Sequence, residues 1–314
     1  MISFRYHVFT IVAIFLAVAL GIAVGNAYVQ PALVNQLRNR TDYLLSSNAE
    51  YRAAVHARES EITDLEASGD VLAVLDPGRM ADRPVVVVTQ DGTDPDVLGE
   101  TLLALNEAQA DAVAVLSVTD RILPSDGHTD PDLASIVGLP PSAPAEDVAA
   151  KAADMLAERL VAGPRRAAEG AGTDVLDELL RGQYLRFGQS HVQENDLANV
   201  GGRGETIVVV SGSPDGLELT PESFAVPFVD SLVHRGASVG AGEAASSVDA
   251  FVDLLRGEGG LDGSTLVTVD DLGYPVGGAA LVLGLERASV VGQGGDYGVH
   301  GNAEAPIPPV PPVP

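Results

Sequence analysis

From Tyr6 to Leu37 the chain carries no Asp, Glu, Lys or Arg, and within that stretch Val8 to Val29 is almost wholly apolar. About 20 such residues in a helix cross the hydrocarbon core of a bilayer. Residues 1–30 therefore predict a transmembrane anchor. Arg5, His7 and the free N-terminus precede the span, and positive charge stays preferentially cytoplasmic. The predicted topology is N-terminus in, with everything after residue 30 exported. The alternative is a cleavable signal peptide, with Ala23, Gly25 and Ala27 near a candidate cut. A signal-peptide core is roughly 7–15 residues, shorter than this run, which favours the uncleaved anchor.

Ala13, Ala17, Gly21 and Gly25 recur every fourth residue on one face of this helix. Small residues at that spacing let two helix backbones approach closely in a membrane. The next segment, residues 31–75, extends the theme. Leu37, Leu44, Tyr51, Arg58 and Leu65 recur every seven residues, and Thr41, Asn48, Val55 and Ile62 follow the first four of them by four. This 4-3 alternation predicts a coiled-coil stalk, in which Asn48 at a core position can fix register and partner number. Thr41 and Arg58 weaken the seam, and a single amphipathic helix lying against the globular domain fits the pattern equally. Under the coiled-coil reading the membrane-bound chain is a parallel homodimer.

Asp76-Pro77-Gly78 ends the helical region, and residues 76–302 read as an α/β domain of two βαβ halves. Short β-branched runs predict buried strands at Val85–Thr89, Ala112–Thr119, Thr206–Ser211, Ala237–Gly240 and Thr265–Asp270. Helices are expected between them. The first is capped by Asp94 and opens at Pro95; Pro221–Arg235, Ser247–Arg256 and Pro275–Arg287 follow. Two more, Ala145–Val161 and Thr173–Phe187, separate the halves. Alternation of strand and helix at this spacing predicts a parallel sheet covered by helices on both faces, a Rossmann- or flavodoxin-like class. The strands are continuous apolar runs, and the chain has no Trp. A transmembrane barrel would need alternating strands of about 10 residues with aromatic girdles. Residues 303–314, rich in proline, predict an extended and disordered tail through which other envelope proteins could be engaged.

The net charge is −26, and about −25 of it lies in residues 70–314. Such a surface repels nucleic acid and anionic lipid; its ordinary use is solubility, and a surface that concentrates cations is the functional alternative. Cysteine is absent, which removes disulfides, thiolate metal sites and cysteine nucleophiles together. Ser211-Gly212-Ser213-Pro214-Asp215-Gly216 follows a strand but matches neither the dinucleotide nor the P-loop pattern, and it reads as a plain loop. Asp270-Asp271 ends another strand, where a cation or a capped helix would each suit it. Gly292 to Gly298 reads as a loop packed on the sheet. Asp126, His128, Asp130 and Asp132 offer one imidazole and three carboxylates in seven residues, the nearest approach to a metal cluster. They lack EF-hand spacing, and a solvated acidic loop explains them without a metal. No catalytic constellation is present, and the residues name no cofactor.

Five short stretches carry a family resemblance. Ile2-Ser3-Phe4-Arg5-Tyr6-His7, followed by the run Ile14 to Gly25, is similar to the start of the MctB-like copper transport proteins of actinobacteria. Val267-Thr268-Val269-Asp270-Asp271, Gly278 to Val282, and Gly295-Asp296-Tyr297-Gly298 resemble that family's C-terminal part. The resemblance implies envelope proteins that limit intracellular copper, with an outer-membrane channel role proposed. Copper then enters as a transported ion and not as a bound cofactor. The residues by themselves equally fit a membrane-anchored structural or interaction protein with no transport activity.

Overall fold

The computed structural model describes residues 7–23, 78–124, 127–164, 174–188, 200–202, 204–257, 265–300 and 302–309. The chain divides into two compact units, Met1–Asp64 and Leu65–Pro314.

In the first unit residues 7–23 form a helix, α1, whose side chains are all exposed, Phe9 and Phe15 most of all among the large apolar ones. Among the described residues no helix is long and apolar enough to cross a membrane. Gly25 and the whole seam from Leu37 to Leu65, with Leu44, Asn48, Tyr51, Val55 and Ile62, lie outside the described residues.

The second unit is built on one seven-stranded sheet. Its strands are β1 (Pro84–Gln90), β2 (Asp111–Val118), β3 (Leu185–Phe187), β4 (Thr206–Val210), β5 (Ser238–Gly242), β6 (Leu266–Val269) and β7 (Gly295–Tyr297). Their order is β3-β2-β1-β4-β5-β6-β7, parallel throughout except for β3 against β2. The helices are α2 (Pro95–Glu107), α3 (Pro131–Ile136), α4 (Ala145–Ala162), α5 (Val175–Arg181), α6 (Ala225–His234), α7 (Phe251–Arg256) and α8 (Pro275–Val291).

Successive strand side chains point to opposite faces, and both faces are apolar here. Val86 and Val88 enter one core with α3, α4, α5, α6 and α7. Val85 and Val87 enter the other, with α2 and α8. Burial on two faces explains why the strands read as unbroken runs of Val and Ile.

The structure corrects four local expectations. The helix expected over Thr173–Phe187 stops at Arg181; Leu185–Phe187 then pairs antiparallel with β2, closing that edge of the sheet. The helix expected from Ser247 begins only at Phe251, because Ala250 sits at φ 52° and breaks the turn before it. The segment Gly292 to Gly298 supplies β7 instead of a loop. Residues 302–309 stay on the domain. The Glu304 amide donates to the Asp296 carbonyl (2.8 Å), the Gly298 amide donates to the Ala305 carbonyl (3.1 Å), and Pro308 is buried. Unpaired backbone groups at the open edge of β7 recruit this segment, against the expectation of a free tail from residue 303.

Candidate functional site

In open parallel sheets ligands bind outside the carboxyl ends of the strands, where the strand order reverses. That point lies here between β1 and β4. Gln90 ends β1 and Ser211 directly follows β4; both are buried and hydrogen-bond to each other through their side chains. Gln90 Nε2 also donates to the Leu219 carbonyl (2.9 Å), and the Asp94 amide donates to the Gly212 carbonyl (3.3 Å). The crevice is therefore closed by the protein's own groups. Asp249 accepts from the amides of Ser213 (2.8 Å) and Leu217 (3.0 Å). Those amides are the ones a phosphate would need, so the loop Ser211 to Gly216 is held as a structural turn.

Glu243, just past β5, is buried and accepts from the amides of Phe251 (2.9 Å) and Val252 (3.0 Å), capping α7 from eight residues away. Burial pushes its carboxyl above the usual range, against the lowering effect of these amides.

The C-terminal stretches that carry the resemblance meet at the β6–β7 edge. Asp270 is fully buried, ion-paired to Arg256 (2.6 Å), and accepts from the Val299 amide (2.7 Å). Arg256 donates further to Thr268 Oγ1 (2.7 Å) and the Tyr297 carbonyl (2.7 Å), and Thr268 Oγ1 donates to Asp296 (2.6 Å). Gly298 has φ 129°, and a Cβ there would stand 2.1 Å from Asp270 Oδ1, so the carboxylate closes on bare backbone. Asp271 is buried against the first turn of α8, where a Cβ on Gly277 would meet its carbonyl at 2.2 Å. This network fastens β6, β7 and α7 together.

Of the acidic stretch 126–132, Asp130 is committed elsewhere. Asp130 caps α3 through the Asp132 amide (2.9 Å) and accepts from the Tyr184 hydroxyl (2.7 Å) and from Arg121 (3.4 Å). Burial pushes the Asp130 carboxyl up, but these hydrogen bonds outweigh it and hold the group below its ordinary value. His128 is exposed, and Asp126 lies outside the described residues. Among the described residues no three His, Cys, Asp or Glu side chains are grouped to hold a metal ion. Of the soft copper ligands, Met80 lies in the core and Met155 packs partly buried against it. Sequence reasoning missed Glu243 and Arg256, because the groups they hold lie on other elements.

Residues 1–308 match the family described as "Copper transport outer membrane protein, MctB". The chain belongs to that family. It is also similar to the "Copper transporter MctB" of Mycobacterium leprae (strain TN), 24% identical over 325 residues that cover 98% of this chain and 100% of the relative. The MctB match takes in both compact units, α1 and the buried Asp270 network alike.

Proposed function

We propose that this protein works in copper transport in the cell envelope and limits intracellular copper, its α/β domain held outside the cytoplasm by the N-terminal apolar segment. The family match over residues 1–308 carries the reading. The uncharged run from Tyr6 to Leu37 supports attachment at the membrane, and Arg5 ahead of it supports the N-in orientation.

Two properties shape the role. The sheet is covered by helices on both faces, so its strands offer lipid no apolar band, and membrane contact falls to the N-terminal segment. The chain has no Cys and three Met, so it builds no thiolate cage for copper(I). The domain acts as the exported part of an efflux route that passes copper on without retaining it, and it performs no chemistry of its own.

Growth of a deletion strain across a copper series tests this. The deletion strain should stop growing at lower copper than its parent, and the full chain supplied in trans should restore the parental limit. Identical growth limits for parent and deletion strain would overturn the reading.

A further inference from the structure

The sheet ends in β7, and the outward backbone groups of an end strand are a template for pairing with another chain. Such edges are ordinarily guarded by Lys, by Pro, by a bulge or by a covering segment. The run Gly294-Gly295-Asp296-Tyr297-Gly298 holds neither Lys nor Pro, and three of its five residues are glycine. Its one carboxylate is engaged within the domain: Asp296 accepts from Thr268 Oγ1 (2.6 Å) and stands 3.6 Å from Arg256. A strand approaching this edge would meet little bulk and a compensated charge.

The guard is the chain's own C-terminal segment. The Asp296 carbonyl faces outward and accepts from the Glu304 amide (2.8 Å), the Gly298 amide faces outward and donates to the Ala305 carbonyl (3.1 Å), and Ala305 forms a parallel bridge to Tyr297. The root of the segment is firmly fastened. The Val299 and His300 amides donate to Asp270 (2.7 and 3.3 Å), Arg256 donates to Asn302 Oδ1 (2.9 Å), and Asn302 Nδ2 donates to Asp253 (2.6 Å). The tip is held by the two backbone bonds to β7 and by the burial of Pro308. Pro306, Pro308 and Pro309 have no N–H, so the segment pairs inward with β7 and offers no ladder to a further strand.

We propose that residues 302–309 are a releasable edge cap, and that releasing them turns β7 into an interface for a second copy of this chain. The edge is self-complementary, which is why a second copy fits it. When two β7 strands lie antiparallel about a two-fold axis at Tyr297, the Asp296 carbonyl of each copy meets the Gly298 amide of the other. These are the same two groups that Glu304 and Ala305 satisfy within one chain. The two sheets then join into one. The cap and the second copy compete for one donor and one acceptor, and the cap holds the advantage because its tether at Asn302 keeps its local concentration high.

The test uses the full chain in detergent and two variants that release the cap. One ends at Asn302; the other, Glu304→Pro, keeps the length and removes the amide given to Asp296. Light scattering at micromolar concentration should give each variant at least about twice the parental mass, with folding retained by melting curve. Hydrogen exchange at the Gly298 amide should slow with rising protein concentration in the variants and stay independent of concentration in the parent. Adding Asp296→Pro removes an outward N–H that a second copy uses and the cap does not, and should return the mass to the parental value. Parental mass in both released variants, or a gain in mass that Asp296→Pro leaves untouched, would overturn the proposal. If the shortened chain does not fold, exchange at Gly298 that is independent of concentration in Glu304→Pro overturns it.

Discussion

Arg256 Nη1 stands 2.6 Å from Asp270 Oδ2, and the two side chains are 2% and 0% exposed. Removing one member of a buried pair leaves an uncompensated charge, which costs about 3–5 kcal/mol. Asp270→Ala and Arg256→Met should each lower unfolding stability by that order in denaturant titrations. The double variant should recover part of the loss. Additive losses would mean that the two side chains are not coupled.

Tyr184 is fully buried, with its hydroxyl on Asp130 at 2.7 Å. Tyr184→Phe removes a hydrogen bond to a charged acceptor and should cost about 1.5–3 kcal/mol. Because Asp130 serves Tyr184 and α3, a chelator should leave the melting temperature unchanged. A fall of several degrees on chelation would instead place a structural metal in the stretch 126–132.

Glu205 gives a pH dependence of definite sign. Its folded-state carboxyl is raised from 4.5 to about 7 by burial. A raised carboxyl contributes stability that is complete below about 4.5 and lost as pH rises through about 7. Glu205→Gln should therefore gain on the parent protein steadily across that window. Denaturant midpoints of the two proteins, compared at several pH values, check this; a constant difference would contradict it.

The expected dimer is testable at Gly21. A Cβ on Gly21 meets nothing within 4 Å in the single chain, so Gly21→Ile is harmless to an isolated α1. In a small-residue helix seam it blocks close approach. Light scattering in detergent should show a dimer for the parent and a shift towards monomer for the variant. A parent protein that is monomeric at micromolar concentration would rule out the parallel dimer.

The central strands were legible because burial on both faces leaves runs such as Val85 to Val88 without a polar break. The start of α2 was legible because its signal is local: Asp94 accepts from the Asp96 amide two residues on, and Pro95 fixes the first turn. The true start of α7 was not, since its cap is Glu243, delivered from the end of β5 by the fold. The edge strands β3 and β7 have three residues each, too few for any periodicity, and exist through pairing with β2 and β6. Asp270 was visible as the end of a strand, but its counter-ion lies 14 residues earlier on a different element.

The most direct measurement of the copper role is intracellular copper content, determined by elemental mass spectrometry in parent, deletion and complemented strains grown at elevated copper. The deletion strain should accumulate several-fold more copper, restored to the parental level by the full chain but not by residues 31–314 alone. Equal copper content in parent and deletion strains at every external concentration would contradict it.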